Sequence, residues 1–416
     1  MTRMLRLLAY TLPLLLTVWL YGYALRLPFF LDDLLLFDMI RTYPESGIPG
    51  LRFWGGAPIF DYYRPLAFSI WEVNEMLNGG RFDPFGLHLL NVLLFGASGV
   101  LLAALVRRLT GLHLAAVVAG SAFVLFPFSY NAVIWVASLF HVLMAFGLLL
   151  ALWSALVWLD SGRVWALIGC WLAAFIALFS HENGVLLLPL LVPLVVRRYG
   201  WRHLRSGRFI VLSVPLVLLL SAFSYAFLFI RTAPETQLRL VQAVDSFGLF
   251  AQGFIWPLSA LARLLFGAEE STSLFYGLFA LTVAPALILA FRWRRDLLQW
   301  LLYGLFWYVL AALPAVLLLE TDYIRGSWRL LLLSSVGMAW FWGVAASLLI
   351  RFGGSADAPL RVPTRVVGAL IGIFICVISV VFLYQRRDDA LRQAEYTWAL
   401  QHELLTHTQG DRPMIV

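Results

Sequence analysis

Runs of apolar residues recur along most of the chain, and charged residues are largely confined to the segments between them. A run of about 20 apolar residues is long enough to cross a bilayer as an α-helix. The pattern therefore predicts an all-α, polytopic membrane protein with about eleven transmembrane helices. The predicted spans are residues 5–26, 87–106, 113–128, 138–158, 164–180, 184–196, 209–230, 274–291, 298–318, 330–350 and 366–384.

The first apolar run is expected to be a membrane anchor. It follows the basic residues Arg3 and Arg6, and it is longer than the core of a cleaved signal peptide. No convincing cleavage site of small residues follows it. We predict that it is retained as a signal-anchor helix.

The arginines divide the loops into two classes. One class carries the basic clusters, and the positive-inside rule assigns it, with the N-terminus, to the cytoplasm. These clusters are residues 107–108, 163, 197–208, 292–295 and 351–365. An odd number of spans then puts the C-terminus outside. We predict a membrane module of residues 1–384, with external loops 27–86 and 231–273, followed by an external helical tail of residues 385–416.

The two external loops contain segments with helical spacing of apolar residues. Residues 34–43 and 66–77 are expected to form short amphipathic helices that lie on the membrane. Residues 244–267 form a similar segment, which polar residues interrupt too often for a confident span. If that segment did cross the membrane, the topology downstream of it would invert.

Composition narrows the class of partner. The chain is 62% apolar and 13% charged, with a mean hydropathy of +0.86. Its net charge of +7 comes from arginines in short loops, so topology explains the charge and we predict no nucleic-acid partner. The sequence contains no lysine, which excludes a lysine Schiff base and a P-loop.

Ionisable and polar residues at a membrane edge are costly to keep, which makes them candidates for function. All the strong candidates here fall on the predicted external face. They are Asp32, Asp33, Tyr63, Arg64, His88, Asn91, Asn131, His181, Glu182, Arg325 and Arg329.

Asp32 and Asp33 stand among Phe and Leu residues directly after the first span. One of them can cap the helix expected next. A cap needs only one acid, and adjacent side chains on a helix diverge by about 100°, so the pair can contact two different ligands. Apolar surroundings would also raise the pKa of an aspartate toward that of a useful general base.

Two pairs of candidates have structural alternatives. His88 and Asn91 lie on one helix face, where an interhelical hydrogen bond and a ligand contact are both open. His181 and Glu182 form either an interfacial salt link or part of a site.

Arg325 and Arg329 either anchor the chain at the membrane interface or hold an anion. The guanidinium group is suited to phosphate because it donates two parallel hydrogen bonds. The histidines are far apart in the sequence, and no spacing typical of a metal site or of a glycine-rich nucleotide loop is present.

Several short motifs, in order and on one predicted face, resemble a known family over residues 25–350. They are F-x-x-D-D after the first span, Y-R-P-L, H-L-x-N at the second span, LFPFSYNAVIWVASL, HENGVLLLP and a late R-x-L-L-L-S-S-V-G. The chain resembles the GT-C glycosyltransferases that use sugars on polyprenyl or dolichyl phosphate. It is most similar to the protein O-mannosyltransferase-like branch, which carries tetratricopeptide repeats in animals.

The resemblance implies that Asp32 acts as the catalytic base while Asp33 orients the acceptor or the loop. It implies that Arg64, His181, Arg325 and Arg329 hold the donor phosphate. The histidine stands where a lysine is expected, so this position lacks a permanent charge. The spacing of the late basic motif does not decide whether Arg325 or Arg329 is the phosphate ligand.

The same resemblance implies that the substrates contact Tyr63, His88, Asn91, Asn131 and Glu182. The chain lacks the repeats, so recognition of an acceptor by repeats does not carry over.

The expected reaction is an inverting transfer of a sugar, with mannose favoured, from a polyprenyl-phosphate donor to an acceptor hydroxyl. The expected partners are that donor, an acceptor protein or glycan, and membrane lipids. No cofactor is assigned, and a divalent metal stays open. The alternatives are a lipid or polysaccharide transporter or flippase, with polar groups along a path through the membrane, and a non-catalytic membrane subunit of the same fold.

Overall fold

The fold is built from helices. The computed structural model describes residues 2–43, 48, 50–55, 63–230, 238–266, 272–352 and 363–407, and these contain no strand. The described part of the chain is therefore all-α, as the apolar pattern predicts.

Eleven of the helices coincide with the predicted spans. They are α1 (Thr2–Tyr21), α4 (Pro84–Thr110), α5 (His113–Val124), α7 (Leu139–Ser161), α8 (Val164–Ser180), α9 (Leu187–Tyr199), α10 (Gly207–Ile230), α13 (Thr272–Trp293), α14 (Arg295–Leu318), α16 (Leu331–Phe352) and α17 (Pro363–His407).

The remaining helices are short and belong to the connections. They are α2 (Asp33–Thr42), α3 (Pro65–Leu77), α6 (Tyr130–Ile134), α11 (Ala243–Phe254), α12 (Leu258–Phe266) and α15 (Thr321–Gly326). Single 3₁₀ turns lie between them, at Gly22–Arg26, Arg52–Trp54, Pro127–Ser129, Val136–Ser138, Glu182–Leu186, Trp201–Arg205 and Trp328–Leu330.

The number of helices that can cross a membrane by themselves is smaller than eleven. Among the described residues, seven are long and apolar enough, and nine are if each of two bent pairs counts as one span. The protein is therefore multi-pass. Four of the eleven predicted spans are not among the seven. The helices α5, α8 and α9 have 12, 17 and 13 residues, which is short for a bilayer of about 30 Å, and α17 is the fourth.

The bent pairs differ in their geometry. The break between α5 and the segment Pro127–Ile134 is 46°, whereas α11 and α12 meet at 109°. Pro257 lies in the second break and cannot continue the hydrogen-bonded ladder of α11. The α11–α12 pair thus turns back on itself within the loop 231–273.

Burial separates interior helices from peripheral ones. In the apolar window of the spans containing α7 and α16, 78% and 83% of residues are buried, against 22% in α10 and 22% in α13. Small residues allow the interior helices to approach closely. A Cβ on Gly147 of α7 would lie 2.8 Å from the carbonyl oxygen of Ala173 in α8. The exposed apolar side chains of α10 and α13 then face lipid.

Basic loops meet at one end of the helical bundle. Asp160, at the end of α7, accepts hydrogen bonds from Arg108 of α4 at 2.6 Å and from Arg198 of α9 at 3.0 Å. The Arg208 side chain, at the start of α10, donates to the carbonyl oxygen of Leu159. These loops are among those assigned to one side by their charge.

The first long loop folds against itself beyond the other end of the bundle. Residues 34–42 lie in α2 and residues 66–77 in α3, so both predicted segments are helical and the first ends one residue earlier than predicted. Arg52 forms an ion pair with Glu72 of α3 at 2.6 Å, and Glu72 also accepts from the Gly50 amide. The ion pair between Arg41 and Glu75 joins α2 to α3.

The C-terminal helix α17 passes through residue 385 without a break, so residues 385–407 are helical as predicted. Phe382 packs on Phe128, and the Arg386 guanidinium lies over the ring of Tyr130. Ala390 is buried as well. The tail therefore leaves the bundle at the end that carries Tyr130, opposite the basic loops. Residues 408–416 lie outside the described residues.

Candidate functional site

The two adjacent acids have different surroundings. Asp32 is exposed, and it precedes α2 without capping that helix through its side chain. Asp33 is fully buried, and its carboxylate accepts from the Phe30 amide at 3.1 Å and from the Ala137 amide at 2.6 Å. Asp33 thus ties the loop after α1 to the turn before α7. The helix cap that one of the two acids could form is absent at Asp32.

Burial changes the acidity of Asp33. Removal from water raises the pKa of this carboxyl to about 8, although the hydrogen bonds from Phe30 and Ala137 act in the opposite direction. The nearby Asp32 raises it further. The raised pKa that the sequence predicts for an aspartate of this pair is therefore found at the buried Asp33.

A second polar group forms between the first loop and the corner after α8. Arg64, directly before α3, makes a two-pronged ion pair with Glu182: Nε lies 3.0 Å from Oε2 and Nη2 lies 2.7 Å from Oε1. The guanidinium also lies over the ring of Phe140, 4.2 Å from its centroid. Two of the predicted ligand residues are therefore bound to each other.

The charges of this group are fixed by burial and by the arginine. Burial opposes ionisation of Glu182, but the charge and hydrogen bonds of Arg64 outweigh it and lower the pKa of this carboxyl. Burial lowers the pKa of His181 to about 3, and Arg64 and Arg329 lower it too, against the effect of Glu182. His181 is accordingly neutral at physiological pH.

Both ring nitrogens of His181 have close polar neighbours. Nδ1 accepts from the Asn183 amide at 3.1 Å and lies 3.5 Å from Oε2 of Glu182. Nε2 lies 3.3 Å from Nη2 of Arg64, which also donates to Oε1 of Glu182. The neutral ring is thus held between Arg64, Glu182 and the turn at Asn183.

His141 belongs to the same group, although the sequence pattern did not single it out as a site residue. Its ring lies 4.6 Å from the ring of His181, in the first turn of α7, and it is buried. An ionisable residue in an apolar run is itself a signal of function. That signal was available from the sequence and pointed to this position.

The two late arginines have separate positions. The Arg329 guanidinium lies 4.6 Å from the centroid of the Trp135 ring, and it donates to the hydroxyl of Tyr323 at 2.9 Å. Within the described residues it forms no ion pair with a carboxylate. Trp328, beside it, stacks on Phe128 and fixes the turn.

Arg325 lies elsewhere. Its side chain is 55% exposed and pairs with Asp322 at 3.1 Å. It lines a cavity formed with α11, which the group around His181 does not share. The geometry therefore distinguishes two arginines that the sequence left equivalent.

A single short segment, residues 135–138, connects these groups, and we call it the corner segment. Its Trp135 ring supports Arg329, and its Ala137 amide binds Asp33. The Asn91 side-chain amide in α4 donates to the carbonyl oxygen of Trp135 at 3.2 Å. Asn91 therefore makes a structural hydrogen bond, but to the corner segment and not to another helix.

The other predicted substrate ligands occupy supporting positions. His88 is fully buried in α4 and faces the backbone of Leu27 and Pro28. The Tyr63 hydroxyl donates to the Trp54 carbonyl oxygen, and the ring packs among phenylalanines. Asn131 is half-buried in α6, beside Tyr130.

No three His, Cys, Asp or Glu side chains in the described ranges converge in a way that could hold a metal ion. The arrangement instead offers a positive charge at Arg329, beside the paired Arg64 and the neutral His181, and this charge can attract an anion. It also offers an exposed acid at Asp32, which can accept a proton. No protein-family model matches the chain, and no curated protein is significantly similar to it.

Proposed function

We propose that the chain is an inverting glycosyltransferase that moves a sugar from a polyprenyl-phosphate donor to an acceptor hydroxyl. The donor phosphate binds at Arg329, beside Arg64 and His181, and Asp32 takes the proton of the acceptor. The environment of Arg329 is the main support for this proposal. Among the described residues Arg329 has no carboxylate partner, and it lies close enough to the buried His181 to lower the pKa of that histidine.

The net charge of the group around His181 and Arg329 favours an anionic ligand over a cationic one. Among the described residues of this group, Arg64 and Glu182 form an ion pair and His181 is neutral, so Arg329 adds a net positive charge. A charged guanidinium on an aromatic ring is held in place and keeps donors for a phosphate.

The reaction needs one base and one stabilised leaving group. The acceptor oxygen attacks the anomeric carbon while Asp32 takes the hydroxyl proton, and the bond from that carbon to the phosphate oxygen breaks. The negative charge that grows on the lipid phosphate is stabilised by Arg329. Attack on the face opposite the leaving group inverts the anomeric centre.

A membrane location of the site agrees with a lipid donor. The described part of the chain has seven to nine candidate spans. We propose eleven crossings, in which the short helices α8 and α9 also span, and the α11–α12 pair returns to its own side. The site end of the bundle is then external, as the positive-inside rule requires when the basic loops are cytoplasmic.

The position of charged side chains argues against a transporter. In each of the seven spans that the structure describes, every Asp, Glu and Arg lies within about one turn of an end. A permeation path would place some of them near the middle of the membrane.

Donor binding tests the proposal. Polyprenyl monophosphate is titrated onto the purified protein and its Arg329→Lys variant, with native mass spectrometry as the readout. Lysine keeps the charge but loses the paired hydrogen bonds, each worth about 1.5–3 kcal/mol to a charged group, so we expect roughly ten- to a hundredfold weaker binding.

Arg325→Lys is the matched control, and it should bind the lipid as the unmodified protein does. Equal binding by all three proteins would exclude Arg329 as the phosphate site. Weakening in Arg325→Lys alone would move that site to the cavity near α11.

A further inference from the structure

A cavity of about 280 Å³ opens between α11, the start of α13 and α15. Its polar lining consists of Gln242, Asp245, Gln252, Thr272, Thr321 and Arg325. We propose that this cavity binds a neutral saccharide unit of the acceptor, and that the transferase uses it to hold its acceptor beside the donor. The inference rests on the proposed function.

The composition of the lining selects the class of ligand. Among the described lining residues, the charged side chains are one carboxylate, Asp245, and one guanidinium, Arg325, which also pairs with Asp322. These give no excess of positive charge, and the other polar groups are amides and hydroxyls. A phosphate would need excess positive charge, and a metal would need several acids or histidines. Sugar hydroxyls both donate and accept, so they match a lining of mixed donors and acceptors.

The size of the cavity agrees with one sugar ring. Ligand pockets usually measure about 300–1,000 Å³, and this one lies at the lower limit of that range. It is too small and too polar for a polyprenyl chain. A lipid donor therefore belongs at the other site.

The inner wall is held in a defined arrangement. Gln252 is buried, and its Oε1 accepts a hydrogen bond from Arg263 of α12. Its amide nitrogen thus remains as the donor on the inner side of the cavity. Ser246, which is buried, shares a hydrogen bond of 2.9 Å with Thr321 and joins α11 to α15.

Close packing leaves the shape of the cavity little room to change. A Cβ on Gly248 would lie 2.6 Å from Cγ2 of Thr272, so α11 and α13 are in direct contact there. The wall is therefore preformed, which reduces the cost of ordering it on binding.

The chain connects the cavity with the proposed donor site. Arg325 lines the cavity, and Arg329 follows it by four residues. Tyr323, on the short helix α15, accepts the hydrogen bond from Arg329. One short element thus carries a wall of the cavity and supports the phosphate-binding arginine, as a site for two substrates requires.

Binding of free sugars tests the inference without a transfer assay. The purified full chain in detergent is mixed with mannobiose, cellobiose, lactose and chitobiose, and saturation-transfer NMR reports which bind. The test variants are Gln242→Ala and Asp245→Asn, both on exposed side chains. The controls are Gln393→Ala on α17 and Asp296→Asn at the basic end.

We expect at least one disaccharide to bind, with at least tenfold weaker binding in the two test variants and no change in the two controls. Polyprenyl monophosphate should bind all five proteins equally. Absence of sugar binding, equal binding in all variants, or displacement of the sugar by inorganic phosphate would each overturn the inference.

The two proposals fail separately in this design. If sugar binds at the cavity but Arg329→Lys leaves lipid binding intact, the donor site is wrong and the saccharide site stands. If lipid binding depends on Arg329 but the cavity variants bind sugar normally, only the saccharide site is wrong.

Discussion

At the residue scale, Asp32 and Asp33 show how neighbours in sequence take different tasks. Asp33 points inward, and its carboxyl oxygens accept hydrogen bonds from two backbone amides, one of them 104 residues away in sequence. Asp32 is exposed and, within the described residues, makes no side-chain hydrogen bond. The exposed acid is thus the one that can meet a substrate.

Replacement of Asp32 by Asn should abolish sugar transfer and leave the fold intact. The change removes the base, whose contribution is about a hundredfold or more, while the shape of the side chain stays the same. A transfer assay is measured together with Tm, with Asp38→Asn on the exposed side of α2 as the control. Full activity in Asp32→Asn would exclude it as the base, and loss of activity with a large fall in Tm would assign it a structural role.

Replacement of Asp33 by Asn should change how stability depends on pH. The pKa of about 8 in the folded state lies above the unfolded value of about 3.9, so the folded state keeps a proton that the unfolded state has lost. The contribution of Asp33 to stability is therefore present at low pH and declines as pH rises from about 4 to about 8.

The difference in Tm, Asp33→Asn minus unmodified protein, should accordingly increase from pH 5 to pH 8 and then level off. The same difference for Asp38→Asn should stay flat. A constant difference for Asp33→Asn across that range would mean that the buried carboxyl does not titrate there.

At the scale of elements, the ion pair between Arg64 and Glu182 joins the first loop to the corner between α8 and α9. Arg64 is buried, whereas the Glu182 side chain is 36% exposed, so the pair lies between a surface pair and a buried one. Breaking it removes one counter-charge from a buried guanidinium.

Glu182→Gln should therefore destabilise the protein by about 1–3 kcal/mol, between the values for surface and buried pairs. Glu75→Gln, which breaks the pair with Arg41 in the same loop, should cost less than about 1 kcal/mol. Chemical denaturation in detergent measures both. Equal effects would show that burial of Arg64 adds nothing to the strength of its ion pair.

The sequence predicts the elements better than their contacts. Apolar runs locate the helices, and the spacing in the first loop predicts α2 and α3, because these signals are local. It cannot predict that Arg64 meets Glu182, 118 residues away, or that the corner segment receives Asp33 and Arg329. Those contacts join residues far apart in sequence and depend on how the helices pack against one another.

The sequence cannot distinguish Arg325 from Arg329 for the same reason, because their contacts depend on the fold. Both follow one span and carry one charge, so a linear pattern treats them alike. Only the fold puts one on the ring of Trp135 and the other in a cavity with α11. His141 differs from these two arginines. Its position within an apolar run can be read from the sequence alone, and an ionisable residue at such a position indicates a functional site.

At the scale of the whole molecule, the fold has a basic end and a site end, and α17 leaves from the site end. We predict that the helical tail and the turn Trp201–Arg205 are on opposite sides of the membrane. Single cysteines at Tyr396 and Arg202 are introduced after replacement of Cys170 and Cys376 by Ala. A membrane-impermeant maleimide should label Tyr396→Cys in intact cells and Arg202→Cys only after lysis; labelling of both, or of Arg202→Cys alone, would contradict eleven crossings.

The central claim is that the protein holds a sugar on polyprenyl phosphate, and mass spectrometry of the lipids that copurify with it tests this most directly. The account predicts a polyprenyl monophosphate, with or without one sugar, in the unmodified protein, and its depletion by tenfold or more in Arg329→Gln. Arg325→Gln should retain it. Absence of any polyprenyl species from the unmodified protein, or equal amounts in Arg329→Gln, would contradict the account.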